Sequence, residues 1–466
     1  MEVMLIGEGW GSYDLRKLCL ERGIRILGYI DPARQQALRA GLPTLGLAEA
    51  ARYRSDLIVI AHPRFADCLP KLLSLGVPAS RILLFYQDVQ AALATLGPVT
   101  HCAVRRRGTV NEYRAHALQG KSAENTRQAP GPEDIRLAGR LSAMFRACQS
   151  GLEQADPLYR AGANWAGFLK RSRRVLVEAV AAGDAGAVHD LLANFWRNGL
   201  GEGIVGGEAA FLAFRETPDA ALHQAILPYL TALTQGTGAD FEPEDVELPR
   251  TGNAFGLRLE GRLIHENSIM NRYRACFLGG LLEGLDAPVV AEVGGGVGFF
   301  AHALLKRYAH VTYIDFDLPE TLIVEAYFLA KNFPDRRILL YEGGTAQLTR
   351  ELLTDYDIVL MPTYMIAQLE DASVDLFLNT ISFGEMSPPI VANYLQQIDR
   401  VARRFFYHEN LMELDLDFEN YPGDLFPIPA SFKKLFSGPS RWPFFGPDSP
   451  RHVFSENLYL KAGVAP

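Results

Sequence analysis

One stretch of the chain, residues 289–321, has residue types and spacing suited to binding a charged small molecule. It reads VVAEVGGGVGFFAHALLKRYAHVTYIDFDLPET. An apolar run ends in an acid and passes through four glycines into a helical pattern, and a second apolar run then ends in further acids. Glycines after a strand let the backbone and the N–H groups of the next helix approach a ligand closely. The pattern therefore predicts a strand–turn–helix–strand unit with a ligand at the glycine turn.

Two adenosine-containing cofactors fit such a unit, a dinucleotide and S-adenosylmethionine (SAM). The acid is Glu292 and the glycines are Gly294, Gly295, Gly296 and Gly298. A dinucleotide fingerprint has the spacing GxGxxG because the pyrophosphate lies on the helix N-terminus. Here the spacing is GxGxG, and the preceding acid disfavours a pyrophosphate but suits a sulfonium and an amino group. Asp317, 23 positions after Gly294, is predicted to accept hydrogen bonds from the ribose hydroxyls.

These residues resemble the class I SAM-dependent methyltransferases. The FDLP ending is similar to small-molecule O-methyltransferases, and DLFLNTISFGEM and ANYLQQIDRVARRFFYHEN resemble a bacterial sugar O-methyltransferase family. The resemblance covers about residues 267–460. It implies an α/β, Rossmann-like domain with a seven-stranded sheet, and it favours Asp317, followed by Leu318, over Asp315 at the ribose. The implied reaction is methylation of a sugar or glycan-precursor hydroxyl; the alternative for the turn is a packing role only.

The sequence also departs from that resemblance in two places. The family's acid for the adenine ring is missing after the predicted third strand, where YEGGTAQL stands. Either Glu342 substitutes for it or the segment MPTYMIAQL, residues 361–369, surrounds the adenine. The histidine base of the plant-like members is also missing, since ISFGEM occupies its place.

Transfer of a methyl group to a hydroxyl requires a base near the carboxyl ends of the strands. Glu385, His408 and His265 are the candidates, each with a structural alternative such as a helix cap or a surface contact. Asn379 is a candidate cofactor ligand, and with Asn410 it is a possible hydrogen-bond partner of the acceptor.

The order of predicted elements divides the chain into three parts. Residues 1–96 alternate strands and helices and are predicted to form a small Rossmann-like domain. Residues 97–256 are mainly helical and form either an arm for a homodimer or a lid over the acceptor. Residues 257–466 form the methyltransferase-like domain. In the first part, LIGEGWGSYDL places Gly7, Gly9 and Gly11 before Asp31, which resembles a site for a nucleotide, a nucleotide sugar or NAD; the alternative is a scaffold.

Composition excludes several classes of protein. The net charge of −8 gives no basis for general nucleic-acid binding, and no apolar run is long enough for a membrane span. Five scattered cysteines without a CxxC pattern predict reduced cytoplasmic thiols, and the histidine spacing predicts no metal site. The functional alternatives are methylation of another small molecule at O, N or C, a non-catalytic cofactor- or nucleotide-sugar-binding protein, and a dehydrogenase that uses the first domain.

Overall fold

The structure is a computed structural model of the 466-residue chain. It describes residues 2–6, 19, 23–30, 38–39, 42–60, 71–72, 74–78, 81–84, 117–237, 241–344, 346–411, 421–440 and 454–463. In this part of the chain, no helix is both long and apolar enough to cross a membrane.

The N-terminal part contains the parallel sheet that the alternating pattern predicts. Its elements are β1 Glu2–Ile6, β2 Arg25–Ile30, β3 Leu38–Arg39, β4 Leu42–Leu45, α1 Leu47–Arg52, β5 Leu57–Ile60 and β6 Ile82–Leu84. The strand order is β3-β4-β2-β1-β5-β6, with only the β3/β4 pair antiparallel. Gly7, Gly9, Gly11 and Asp31 lie outside the described residues, so nucleotide or NAD binding by this part stays a prediction.

The middle of the chain is helical, as its Ala/Leu/Arg-rich pattern predicts. Its helices are α2 Pro132–Gln154, α3 Ala163–Ser172, α4 Arg174–Ala181, α5 Ala185–Leu192, α6 Gly207–Glu216 and α7 Asp219–Thr237, with short 3₁₀ turns between them. A strand, β7 Leu118–Ser122, precedes them. It pairs antiparallel with β8 Gly256–Leu259, which pairs with β9 Arg262–Ile264. This small sheet spans the predicted boundary at residue 256.

The C-terminal part is an eight-stranded sheet flanked by helices. Its elements are α8 Glu266–Gly279, β10 Val289–Val293, α9 Phe299–Arg307, β11 Thr312–Asp317, α10 Pro319–Asn332, β12 Ile338–Leu340, α11 Arg350–Thr354, β13 Ile358–Pro362, β14 Val374–Thr380, α12 Pro388–Val401, β15 Ala402–Leu411, β16 Phe432–Pro439 and β17 Phe454–Lys461. The strand order is β12-β13-β11-β10-β14-β15-β17-β16. Strands β10 to β15 pair in parallel, whereas β17 pairs antiparallel with both β15 and β16.

The apolar composition of the strands explains their central position. Every residue of β10, β11 and β13 is buried, as expected for parallel strands with helices on both faces. The segment 421–440, which is rich in Pro and Phe, contributes β16 as an edge strand. The predicted count of seven strands is therefore wrong for the described residues, because this segment adds an antiparallel strand outside the parallel core.

Close approach of backbone to side chains explains the glycine turn between β10 and α9. Gly298 has a φ of +85° at the N-cap of α9, and an added Cβ would lie 2.9 Å from Cγ of Glu325 and 3.2 Å from Cγ of Leu329. Gly284 has a similar φ of +82° in a loop, but nothing lies within 4 Å of its Cβ position.

We expect Gly298→Ala to destabilise the protein by about 2–4 kcal/mol, because left-handed backbone and overpacking each cost about 1–3 kcal/mol. The control Gly284→Ala should cost only the backbone part, about 1–2 kcal/mol. Urea unfolding measures both values. Equal losses would show that contact with Glu325 does not constrain Gly298.

Candidate functional site

A pocket of about 240 Å³ opens at the carboxyl ends of β10, β11 and β14. Parallel strands that diverge at this edge of a sheet commonly create a ligand crevice. The glycine turn and the ends of the three strands line one side of the pocket. Helix α8 lines another side, and residues 159–162, Trp165, Gly203 and Ile204 of the helical middle line the opposite side. We call this last wall the roof.

Asp317 lies at the pocket and is bonded to the glycine turn. Its Oδ2 accepts a hydrogen bond from Gly296 N at 3.2 Å, and its Oδ1 accepts one from Leu318 N at 2.6 Å. Gly294, Gly295 and Leu318 line the same pocket, whereas Gly298 does not and instead begins α9. Thus the structure brings together the predicted acid and the first three glycines of the motif.

Asp315, the competing acid, does not line the pocket. It is completely buried, and its Oδ1 accepts a hydrogen bond from Gly295 N at 3.0 Å. Burial and the adjacent Glu325 raise the pKa of Asp315 well above its usual range. Burial also raises the pKa of Glu325, to about 8, so both carboxyl groups favour the protonated form near neutral pH. Asp315 therefore supports the glycine turn from behind, and Asp317 faces the ligand side.

Glu292 is a buried acid on the pocket wall. Its oxygens accept hydrogen bonds from the hydroxyls of Tyr313 at 2.8 Å and Thr380 at 3.0 Å. Burial raises its pKa to about 7, despite these bonds and the positive charge of Arg274. A cationic ligand beside it would favour the ionised form. Glu292 is thus suited to a ligand that carries positive charge.

The two alternatives for the adenine segment are separated by the strand order. β13, not β12, lies beside β11, because β12 forms the edge of the sheet. The segment after β13 therefore reaches the pocket, where Thr363 lines it. Glu342 follows the edge strand, is exposed and does not line the pocket. The geometry favours the segment that contains Thr363.

Among the proposed bases, Glu385 lies in the pocket. It is the last residue of the 3₁₀ turn Ser382–Glu385, and Met386, Ile390 and Tyr394 line the pocket near it in sequence. Its side chain is exposed at the pocket, and the protein groups around it partly desolvate the carboxyl. This desolvation raises the pKa of its carboxyl to about 7. A base with a pKa near the working pH is effective in proton transfer.

The two histidines are placed elsewhere. His408 is completely buried beside the rings of Phe406, Phe426 and Tyr459, does not line the pocket, and has its pKa lowered to about 3 by burial. His265 is the N-cap of α8, where its Nδ1 accepts a hydrogen bond from Asn267 N. Neither side chain is among those that line the pocket.

Asn379 lies behind the pocket rather than in it. The side chain is completely buried and donates hydrogen bonds to Val293 O at 2.9 Å and to Ser382 Oγ at 2.6 Å. It is not among the residues that line the pocket. The structure therefore places Asn379 in support of the turn that follows β14, not against a cofactor.

Sequence reasoning missed the polar stripe on α8. Asn267, Asn271 and Arg274 line the pocket, and their spacing of i, i+4 and i+7 puts them on one helical face. Arg274 is buried, pairs with Glu409 at 2.8 Å and donates to Asn271 Oδ1 at 3.1 Å. The signal was present in NSIMNRYRA, where polar residues recur at the spacing of a buried helical face. The sequence of the roof residues shows no comparable spacing of polar residues.

Comparisons with known proteins were made on both sequence and structure. No protein-family profile and no curated protein matches the chain. Similar solved structures include the DszA carbon methyltransferase, with 15% identity, a TM-score of 0.27 and coverage of 72% of this chain and 95% of that one. A SAM-dependent methyltransferase from Aquifex aeolicus has 16% identity, a TM-score of 0.25 and coverage of 40% and 87%.

A third similar structure is magnesium protoporphyrin IX methyltransferase from Synechocystis PCC 6803 with bound S-adenosylhomocysteine (SAH). It has 13% identity, a TM-score of 0.28 and coverage of 41% of this chain and 82% of that one. At these TM-scores the similarity assigns this chain neither a family nor an activity.

The buried carboxyls predict an unusual pH dependence of stability. Burial raises the pKa of Glu292 to about 7 and of Glu325 to about 8, while in the unfolded chain a glutamate titrates near pH ~4.3. The native state therefore holds more protons, and stability falls as pH rises through about 6.5–8. The half-buried His302 and the buried His408 have pKa values lowered to about 4 and 3. They do not oppose this trend there, because even unfolded histidines are mostly neutral above about pH 6.5.

We expect the free energy of unfolding, measured in urea without ligand, to decrease across that window. The slope should reach about 1.4 kcal/mol per pH unit for each group that is protonated only in the folded state. Glu325→Gln should reduce the slope, and the exposed control Glu351→Gln should not. A slope unaffected by Glu325→Gln would contradict the raised pKa of Glu325.

Proposed function

We propose that this protein is a SAM-dependent methyltransferase. The observation that carries the proposal is the position of Asp317, which faces the pocket while bonded to Gly296 N and Leu318 N. A carboxylate at this point can accept both hydroxyls of an adenosyl ribose. Beside Asp317, the glycine turn presents backbone atoms rather than side chains to the part of the cofactor next to the ribose.

The residues present fit the charge of SAM better than that of a dinucleotide. Glu292 lies on the pocket wall, immediately before the glycine turn, where it would repel a pyrophosphate but attract a sulfonium or an ammonium group. Arg274 and Asn271 on α8 lie at the same side of the pocket, as donors for a carboxylate. When bound, the cofactor supplies an activated methyl group on sulfur; the chain orients it and excludes water.

Replacement of Asp317 by Asn tests cofactor binding directly. The amide cannot accept from both N–H groups and the ribose, and hydrogen bonds to a charged group contribute about 1.5–3 kcal/mol each. We expect the affinity for SAH, measured by calorimetry, to fall about 100-fold or more.

Glu342→Gln is the matched control, since Glu342 is exposed and lies outside the pocket; its affinity should equal that of the wild type. A wild-type protein that binds NADH but neither SAM nor SAH would overturn the proposal.

For the acceptor, we propose a hydroxyl of a sugar or glycan precursor. Glu385 supports a hydroxyl acceptor, because a carboxylate with a pKa of about 7 is able to remove the proton as the oxygen attacks. The roof supports a polar ring, because Trp165 offers an aromatic face and Arg160 a charged donor at the same pocket. Another small molecule methylated at O, N or C is the competing class.

The roof also supports one of the two interpretations of the helical middle. Residues of the segment from Tyr159 to Ile204 line the pocket, so we propose that this segment acts as an acceptor lid rather than only as a homodimer arm. The buried free thiols Cys19 and Cys148 support a reducing, cytoplasmic setting.

Glu385→Gln tests the assignment of the base. With SAM and a panel of sugars, nucleotide sugars, amines and phenols, we expect turnover with the best acceptor to fall about 10²–10⁴-fold. SAH affinity should be unchanged. Glu351→Gln, an exposed acid outside the pocket, is the control. Full activity in Glu385→Gln would show that the acceptor loses its proton by another route.

A further inference from the structure

The turn that carries Glu385 begins with a strained residue. Ile381 has φ 74° and ψ −34°, and it lines the pocket. The other non-glycine residues with positive φ in the described part of the chain are Asn253, Glu260, Ala287 and Ala372, none of them β-branched. For a β-branched side chain this conformation is a clear outlier, and it persists only where the surroundings enforce it.

Two buried asparagines enforce this conformation from behind. Asn410 donates from Nδ2 to Asn379 Oδ1 at 2.9 Å, and its own Oδ1 accepts from Gly384 N at 3.0 Å. Asn379 Oδ1 also accepts from Phe383 N at 3.2 Å. Both side chains are completely buried. The sheet fixes both asparagines, because Asn379 lies on β14 and Asn410 on β15.

The network joins the turn to the glycine motif. Asn379 Nδ2 donates to Val293 O and to Ser382 Oγ, and Ser382 Oγ donates to Val293 O at 3.1 Å. A Cβ on Gly294 would lie 2.5 Å from Ser382 Oγ. The backbone N–H of Ile381 completes the set with a 2.6 Å bond to Glu409 O. The turn is therefore held against the glycine turn, on the pocket side of the sheet.

We infer that Asn379 and Asn410 are positioning residues, which hold the strained Ile381 so that the turn 380–385 presents Ser382 and Glu385 to the pocket. The inference rests on the proposed function for the nature of the ligand. The hydrogen-bond network itself is independent of the proposed function. A relaxed Ile381 would adopt a negative φ and redirect the backbone from Ser382 to Glu385. The hydrogen bonds of the network therefore offset the conformational cost of the positive φ and keep the turn at the pocket.

A glycine rescue tests this assignment, because glycine adopts positive φ without steric cost, whereas alanine keeps the Cβ that makes it unfavourable. Four variants of the full chain are compared with the wild type: Asn410→Ala, Asn410→Ala/Ile381→Gly, Asn410→Ala/Ile381→Ala and the control Asn332→Ala. The side chain of Asn332 likewise bonds the backbone, by donating to Phe328 O, but it lies on α10 away from the turn. If Asn410→Ala does not fold, Asn410→Asp replaces it throughout, since it keeps the acceptor for Gly384 and loses the donor to Asn379.

Hydrogen exchange by mass spectrometry follows the amides of residues 381–386, and calorimetry follows SAH affinity. We expect Asn410→Ala to speed exchange in the turn and to weaken SAH binding by about tenfold or more. The added Ile381→Gly should restore both, and the added Ile381→Ala should restore neither.

Equal behaviour of the two double variants, or unchanged exchange in Asn410→Ala, would overturn the positioning role. Failure of the wild type to bind SAH would instead contradict the proposed function. The exchange data would still test the network in that case, so the two failures are distinguishable.

Discussion

Buried carboxyl groups beneath a glycine turn are the constraint on which the rest of the site depends. Glu292, Asp315, Asp317 and Glu325 lie together where β10, β11 and α10 meet, and each is at most 7% exposed. Two like charges about 4 Å apart repel by about 4 kcal/mol at an effective dielectric constant of 20. Burial is the main cause that raises the pKa values of all four groups, and repulsion between neighbouring carboxylates adds to it. Backbone N–H groups of the glycine turn supply the compensating bonds.

This arrangement explains why the turn needs its glycines for different reasons. Gly298 makes room for Glu325 and Leu329, Gly295 for Asp315, and Gly294 for Ser382. Only Gly296 has its Cβ direction toward the roof, where Ile204 lies 3.2 Å away. Gly294, Gly295 and Gly298 thus pack against side chains of the sheet, the turn and α10, and Gly296 packs against the roof. Gly294, Gly295 and Gly296 therefore both pack against neighbouring residues and line the pocket.

Local patterns predicted much of the sheet and part of the site. The strands β10, β11 and β14 and the helices between them follow from apolar runs, and Asp317 and the glycines follow from their spacing. The eighth strand did not follow, because Phe432–Pro439 reads as an irregular Pro-rich tail and is ordered by pairing with β17. The position of β12 at the sheet edge is a tertiary outcome that no local pattern contains, and it leaves Glu342 outside the pocket that Thr363 lines.

The histidines illustrate the other limit of sequence reasoning. A histidine at the carboxyl end of a strand suits a base, but His408 is surrounded by aromatic rings and His265 caps a helix. Side-chain direction at a strand end alternates with each residue, so a register known only to within one residue cannot separate a pocket residue from a core residue. The roof was equally invisible, because its residues are distant in sequence from the glycine turn.

The pairing of Ser122 with Gly256 brings the two ends of the helical middle side by side in one small sheet. The helices are therefore an insertion between two adjacent strands of this sheet, and the pairing of those strands fixes where the chain enters and leaves the insertion. Different helical insertions between β7 and β8 would change the roof, which includes Ile204 and Trp165, without changing the carboxyl groups at the glycine turn. The shape of the pocket can therefore vary through the insertion while the glycine turn and its carboxyl groups stay constant.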